Sequence, residues 1–172
     1  MKPRKTWTEK LADDKGLPRV ARIEGRMTKR WGTGTMVIPA PREVDELMRQ
    51  VPKGKLTTIN ELRAALARKH SANIGCPITT GIFAWIAAYA AEEQAAAGRK
   101  RFTPWWRTLK LGGELNPKYP GGLDAVKRRL QAEGHKVVTR GKRAFVADCE
   151  RKLFAFGGRV GMRAPAETLT YA

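Results

Sequence analysis

The sequence predicts a mostly α-helical domain with one small β-hairpin, arranged as a winged helix-turn-helix, with an N-terminal extension before it. Three observations lead to this prediction. Apolar residues recur at helical spacing in four segments between Pro41 and Gly134. The second and third of these segments are joined by a loop, as in a helix-turn-helix. Two short apolar runs around a basic tip follow at 136–146 and indicate the hairpin.

Residues 1–39 are predicted to form a basic N-terminal extension. Thr6 or Thr8 can cap a short helix there. Two interpretations remain open for this extension. It is either a basic arm that grips phosphate, or a solvated tail whose Trp7 and Trp31 pack onto the domain.

The domain itself is expected at 40–156, with a C-terminal tail at 157–172. Its first helix is predicted at Pro41–Gln50, because apolar residues at i, i+3 and i+4 form one stripe. The second helix starts after Thr58, a good N-cap, and Glu61 three residues later completes a capping box. Both helices therefore have local signals for where they begin.

The third helix is predicted at Thr79–Ala97, capped by Thr79 or Thr80. Together with the second helix it forms a candidate helix-turn-helix, in which Thr79–Ala97 is the recognition helix. An ordinary helical bundle is the alternative. A fourth amphipathic helix is expected at about 123–134, where Gly134 ends it.

The predicted hairpin pairs 136–139 with 143–146 around the tip Arg140-Gly141-Lys142. Its basic tip suits a wing that follows DNA. A charged edge that resists aggregation is the alternative interpretation.

Charge points to an anionic partner. The chain has 34 Lys and Arg against 16 Asp and Glu, a formal charge of +18, and a pI near 10.6. Such a pI is typical of nucleic-acid binding, and acidic lipid headgroups are the competing partner. No apolar run is long enough to span a bilayer, and the N-terminus lacks the apolar run of a secretory signal. The two cysteines form no disulfide framework, which favours the cytoplasm. We also expect the protein to be nucleoid-associated and a monomer.

The stretch Thr103–Gly122 holds the most distinctive chemistry. Trp105 and Trp106 stand directly between Pro104 and Arg107, ahead of a loop rich in glycine and proline. Such a turn offers a stacking surface for a base. The alternative is that the tryptophans plug the core, since Trp is highly buried on average.

Five segments in this order resemble O-6-alkylguanine-DNA alkyltransferases. They are Val51–Thr58, at the entry to the helix-turn-helix; Thr79–Tyr89, at the recognition helix; Pro104–Arg107, on the Pro-Cys-His-Arg motif; Gly113–Gly122, on the Tyr-x-Gly-Gly loop; and Leu123–Gly134, at the helix that closes it. The resemblance covers about 41–134. It implies a DNA-binding domain of alkyltransferase type that enters the minor groove.

Departures from this family concern the reaction itself. Trp105 takes the place of the acceptor cysteine and Trp106 that of the histidine, so Glu133, which matches the orienting glutamate, is expected to have nothing to orient. An indole cannot replace a thiolate nucleophile. The Trp substitution resembles the non-catalytic alkyltransferase-like proteins. Those bind alkylated guanine and flag it for nucleotide excision repair, which implies repair proteins as further partners.

The predicted partner is double-stranded DNA. The residues expected to contact it are Thr57, Thr58, Thr79, Thr80, Arg107, Lys110, Lys118, Arg140, Lys142 and Arg143. The expected base pocket consists of Pro104, Trp105, Trp106 and Tyr119. The base-flipping residues of the family have no clear match, with Thr80 and Ile59 falling near their positions.

No cofactor, metal or enzymatic activity is expected. His70 and His135 lack metal-ligand spacing to each other or to a cysteine. Cys76 is expected to be a small apolar residue in a turn, and Cys149 has no base beside it. The adjacent Glu92 and Glu93 are expected on a solvated helix face.

Three functions remain open at this point. The first is a non-enzymatic DNA-binding protein that senses alkylated guanine. The second is an architectural or regulatory DNA-binding protein without lesion specificity. The third is an enzyme with chemistry relocated to a residue such as Cys76, and RNA remains open on charge alone.

Overall fold

The computed structural model describes residues 3–157. Six α-helices and seven short strands alternate within that range. The helices are α1 (Trp7–Ala12), α2 (Met27–Trp31), α3 (Pro41–Gln50), α4 (Ile59–Lys69), α5 (Pro77–Ala96) and α6 (Gly122–Ala132). The strands are β1 (Arg19–Arg22), β2 (Thr35–Ile38), β3 (Thr57–Thr58), β4 (Ile74–Gly75), β5 (Thr108–Leu109), β6 (Val137–Arg140) and β7 (Arg143–Val146).

The helices follow the predicted pattern closely. The prediction of α3 is confirmed, and α4 begins after Thr58, whose hydroxyl oxygen accepts a hydrogen bond from the Glu61 N–H at 3.3 Å. The predicted cap of α5 is wrong, because α5 begins at Pro77 after Cys76. Proline suits a first helical position, where its missing N–H would be unpaired in any case. Thr80 therefore lies inside the first turn, and its hydroxyl donates to the Cys76 carbonyl at 2.6 Å.

The fold contains more β-structure than predicted, so the mostly α-helical class is corrected to a mixed α/β fold. β1 pairs antiparallel with β2, and β2 pairs parallel with β4. β3 and β5 form a second parallel pair. Strands of two to four residues are too short to show alternation in the sequence, which explains the difference. The winged arrangement stays a prediction.

The close approach of β4 to α4 depends on Gly75. A Cβ atom built there would lie 2.6 Å from the Arg63 backbone oxygen. The Arg63 side chain also donates to the Gly75 carbonyl at 2.8 Å. This contact brings the first half of α4 next to β4, which leads into α5.

The N-terminal residues fold against the helices. Leu11 of α1 joins the main core, and the Trp7 ring lies 5.0 Å from Trp85 and 4.8 Å from Tyr89 of α5. Ile23, just after β1, and Met36 of β2 form a small second cluster with Cys76. The segment 3–39 thus has its own secondary structure and contacts.

The main core lies between α3, α4, α5 and α6, and the 105–119 segment closes it. Its largest fully buried side chains include Trp105, Tyr119, Met48, Leu62 and Leu130. No helix between residues 3 and 157 combines the length and apolarity needed to cross a membrane.

The hairpin prediction is confirmed. β6 and β7 pair from Val137 opposite Val146 to Arg140 opposite Arg143. A bridge between Glu114 and Phe145 joins the hairpin to the central loop. Of the predicted tail, residues 158–172 lie outside the described residues.

Candidate nucleic-acid interface

The N-terminal part of α5 presents an apolar face to solvent. Ile78 is 67% exposed and Ile82 is 45% exposed, although both lie on a helix whose opposite side is buried in the core. This face borders a surface cavity of about 480 Å³, lined by Ile78, Gly81, Ile82, Trp85, Asn116 and Lys118. Exposed apolar patches with polar rims are typical of interaction sites.

Trp85 connects this face to the central loop. Its Nε1–H donates to the Lys118 carbonyl at 2.9 Å, and its ring is braced edge-on by Trp7 and Tyr89 at 5.0 and 5.5 Å. The loop is thereby fixed beside α5. The ammonium group of Lys118 is exposed and has no ion-pair partner among the described residues.

The four residues of the expected base pocket come together but are buried. Trp105 is 1% exposed, Tyr119 is 2% exposed, and their rings meet edge to face at 5.8 Å. Trp105 Nε1–H donates to Glu92 at 2.9 Å. Burial raises the pKa of Tyr119 above its ordinary range. In this arrangement Trp105 and Tyr119 offer no open face on which a base can stack.

Only an edge of Trp105 reaches a second cavity, of about 460 Å³, on the α6 side of the loop. Its charged lining consists of Glu92, Arg128 and Arg129. Arg129 also lies over the Trp106 ring at 4.6 Å. The cavity is therefore separate from the exposed face of α5.

Trp106 and Arg107 share one carboxylate, that of Glu133. The Trp106 Nε1–H donates to Glu133 at 3.0 Å, and Arg107 adds bonds at 2.6 and 2.9 Å. The expectation that Glu133 has nothing to orient is therefore wrong, because an indole N–H and a guanidinium replace the histidine as donors. Burial alone would raise the pKa of Glu133, but the bonds from Arg107 and Trp106 outweigh it and hold that pKa below its usual value.

The Arg107 side chain is largely buried and hydrogen-bonded inside the protein. Its side chain is 14% exposed, and its remaining terminal nitrogen donates to the Val51 carbonyl at 2.8 Å. Arg107 thus ties the loop after α3 to the end of α6 through Glu133. In this conformation it has no free side for a phosphate.

The threonines expected at the DNA surface lie mostly inside. Thr57, Thr58 and Thr80 are 0–6% exposed, which gives their side chains packing and capping roles in this conformation. Thr79 is half-buried, and its hydroxyl is enclosed without a hydrogen-bond partner. The neighbouring residue Ile78 is exposed, so this turn of α5 lies at the surface.

The predicted cations of the loop and the hairpin are exposed. Glu114 pairs with Lys110 at 3.4 Å and with Arg143 at 2.6 Å, and the Arg143 hydrogen bond comes first among the causes that lower the Glu114 pKa. Arg140 and Lys142 at the tip make no ion pair among residues 3–157. These two and Lys118 are therefore available to an anionic partner.

Glu92 and Glu93 have structural roles that sequence reasoning missed. Glu92 binds Trp105, and Glu93 accepts from the Trp7 and Thr8 backbone N–H groups, both at 2.8 Å. The expectation of a solvated face is wrong because α1 and the tryptophan turn pack there. The helical spacing of Trp85, Tyr89, Glu92 and Glu93 could have indicated this packing, since it places all four on neighbouring faces of α5.

In the part of the chain that the structure describes, the cysteines and histidines belong to no group of three or more side chains that could hold a metal ion. Cys149 is buried, and burial raises the pKa of its thiol. Cys76 is buried at the start of α5. His70 contacts Glu43 at 2.7 Å, and His135 is buried with its pKa lowered by that burial.

The chain is similar to two solved structures from S. pombe. One is Atl1 in complex with damaged DNA containing O6-carboxymethylguanine, and the other is ATL in complex with DNA. Each match has 18% identity and a TM-score of 0.42, and it covers 67% of this chain and 94% of that chain. No protein-family model matches the sequence, and no curated protein does.

Proposed function

We propose that this protein binds double-stranded DNA through the exposed N-terminal face of α5. The observation that carries the proposal is the position of Ile78 and Ile82, which remain exposed beside the unpaired Lys118. A free monomer gains nothing from exposing two isoleucines on one face, whereas a partner that covers them removes apolar surface from water. The formal charge of +18 favours a polyanion as that partner.

The chemistry of this face suits a nucleic-acid groove. Gly81 lacks a side chain and leaves room for a close approach of α5, and Ile78 can contact sugars and base edges. Lys118 would contact a flanking phosphate, with Arg140 and Lys142 of the hairpin adding to the affinity but not to sequence readout. The resemblance to alkyltransferases implies the minor groove.

Replacing Ile78 by glutamate tests the proposal. A carboxylate at this position would face the phosphates, so we expect the Kd for a duplex to rise about tenfold or more. The matched control is Ala96→Glu, because Ala96 is exposed at the other end of the same helix, about 27 Å away. Equal affinities of the two variants would overturn α5 as the interface.

We further propose that binding involves no alkyl transfer. In the alkyltransferase resemblance the acceptor position holds Trp105, which has no thiolate to offer. Cys76 and Cys149 are buried, and the raised pKa of Cys149 lowers its thiolate fraction. Intact mass measurement after incubation with alkylated DNA should show no mass gain, and a methyl adduct would contradict this proposal.

Sensing of alkylated guanine is a second candidate function, favoured by the cavity beside Ile82 and Trp85. It lies on the proposed DNA face, and its apolar lining suits a base carrying an alkyl group. Binding to duplexes with and without O6-methylguanine tests it, with about tenfold tighter binding to the lesion expected. Equal affinity would remove lesion sensing, and with it the case for nucleotide excision repair partners, but would leave DNA binding in place.

A further inference from the structure

The hairpin formed by β1 and β2 presents a cluster of cations. Residues 19–31 contain five Lys and Arg and a single carboxylate, that of Glu24. Arg19, Arg22, Arg26 and Lys29 are exposed and have no ion-pair partner among residues 3–157. The charge of this segment is therefore uncompensated by its surroundings.

This hairpin is held on a fixed backbone. Ile23 is 5% exposed and packs with Met36 and Cys76, and its N–H donates to the Gly34 carbonyl at 2.9 Å. Trp31 at the end of α2 packs against the same cluster, with the Arg30 guanidinium 4.9 Å from its ring. The backbone that carries the cations is thus fixed by packing, so a partner does not have to order the segment on binding.

The sheet places Arg19, at the start of β1, next to the start of α5, and Arg22 lies at the other end of β1, opposite Thr35. Arg19 lies opposite Ile38 on β2, and β2 runs parallel to β4, which leads directly into α5. The Cys76 N–H donates to the Val37 carbonyl at 2.8 Å, so the end of β2 and the first turn of α5 are adjacent. Two strand spacings separate β1 from β4, a distance of about 10 Å.

We propose that the β1–β2 hairpin, with α2 in its connection, is a second DNA-contacting surface that extends the footprint of α5 along the duplex. This inference rests on the proposed DNA binding. Arg19, Arg22 and Lys29 contact phosphates, while α5 enters the groove. Because adjacent phosphates along one strand are several ångströms apart, a cation on β1, about 10 Å from the strand that leads into α5, reaches the backbone flanking the same groove, and Arg22 and Lys29 extend that contact along it.

Edge protection is the competing explanation for these charges. β1 is an edge strand, and charged side chains on such a strand prevent pairing with other chains. That role requires charge but no particular partner. It predicts aggregation without any change in DNA affinity when the charges are removed.

The experiment compares two triple variants with the wild type. The first, R19Q/R22Q/K29Q, removes three charges from the hairpin. The matched control, R99Q/K100Q/R101Q, removes three exposed charges just beyond the far end of α5, about 30 Å from Cys76. Affinity for one duplex is measured by fluorescence anisotropy as a function of salt, after urea titration shows that each variant is folded.

Removing one cation that neutralises a phosphate reduces the slope of log K against log salt by about 0.9. The hairpin variant should therefore show a slope smaller by about two to three, and the control should keep the wild-type slope. An unchanged slope in the hairpin variant overturns the inference while DNA binding stands. Equal reductions in both triple variants also overturn it, since they would reflect overall charge.

The Ile78→Glu variant distinguishes failure of the inference from failure of the proposed function. If it binds like the wild type, α5 is not the interface and both proposals fall. If it binds weakly while the hairpin variant is unaffected, only the hairpin is excluded. Weaker binding of the hairpin variant to anionic lipid vesicles, at unchanged DNA affinity, would assign the hairpin to a membrane surface and overturn the inference.

Discussion

Adjacent residues Trp105 and Trp106 bind two different carboxylates on two different helices. Trp105 donates to Glu92 of α5, and Trp106 donates to Glu133 at the end of α6. A buried indole N–H needs an acceptor. Glu92 also forms an ion pair with Arg129, and Glu133 forms one with Arg107. The tandem tryptophans therefore join α5 to α6, which explains why both are buried.

Truncating Trp105 should cost stability and spare DNA affinity. Trp105→Ala leaves a cavity in the core and removes the indole donor to Glu92, so we expect the free energy of unfolding to fall by about 3–5 kcal/mol. Urea denaturation measures this change. The control Ile82→Ala alters an exposed side chain and should change stability by less than about 1 kcal/mol. A Trp105→Ala protein of normal stability with weakened DNA binding would instead indicate a stacking role.

Glu133 should make stability depend on pH in the acidic range. Its pKa is lowered in the folded protein from the ordinary value of 4.5, so its ionised form stabilises the fold above that pH. That contribution is lost as pH falls through the folded-state pKa. Glu133→Gln should lower stability by about 3–5 kcal/mol at neutral pH, because it leaves Arg107 buried without a counter-charge.

The pH test compares the free energy of unfolding at neutral pH and at about pH 3. The difference should be smaller in Glu133→Gln than in the wild type. Glu46→Gln is the control, because Glu46 is exposed and forms no ion pair among the described residues. An identical pH response of Glu133→Gln and the wild type would exclude Glu133 as a source of the acid sensitivity.

At the scale of elements, different parts of the 20-residue helix α5 have different roles. Its central part is a run of alanines and Phe83 buried in the core, while its first turns expose Ile78 and Ile82. Its last turns hold α1 through Glu93. The helix can serve a partner at one end because its middle is fixed by packing.

Helices α3 to α6 were predictable because each carries its own apolar periodicity, and Thr58 adds a local cap for α4. The β6–β7 hairpin was also predictable, but β4 was not, because β4 has two residues and its partner, β2, lies far away in the sequence. Pairing of this kind depends on tertiary contacts that local pattern does not encode. For the same reason, the hydrogen-bond partners of Glu92, Glu93 and Glu133 could not be predicted, because those partners come from other elements. The residues of the central loop were foreseen as a group, and the burial of Trp105 and Trp106 agrees with the alternative that they plug the core.

The attachment of α1 should depend on Glu93. Its carboxylate accepts bonds from the Trp7 N–H, the Thr8 N–H and the Thr8 hydroxyl, and bonds to a charged group contribute about 1.5–3 kcal/mol each. Glu93→Ala should therefore speed hydrogen exchange of the α1 amides, such as that of Asp13, by about tenfold or more. Amides of α4 serve as the internal reference, and unchanged exchange in α1 would show that its apolar contacts with Trp85 and Tyr89 suffice.

At the scale of the whole molecule, the chain carries a large excess of positive charge. Several of the carboxylates are paired with neighbouring cations inside the fold, as Glu43, Glu114 and Glu133 are. Many lysines and arginines are left without a counter-charge as a result. Those near α5 and on the hairpins form the set that a polyanion can neutralise, which makes salt the most direct probe of the entire surface.

The salt dependence of DNA binding should give the number of these cations that contact phosphates. Six unpaired cations are expected to contact phosphates, namely Arg19, Arg22, Lys29, Lys118, Arg140 and Lys142. At about 0.9 released counterions per contact, log K should fall with log salt with a slope of about −5, a decrease of about a thousandfold between 50 and 200 mM salt. Arg140→Gln with Lys142→Gln should reduce the slope by about two, and R99Q/K100Q/R101Q by nothing. A wild-type slope near −1 would show that most of these cations stay in solvent when DNA is bound, and that contacts other than phosphate neutralisation supply the affinity.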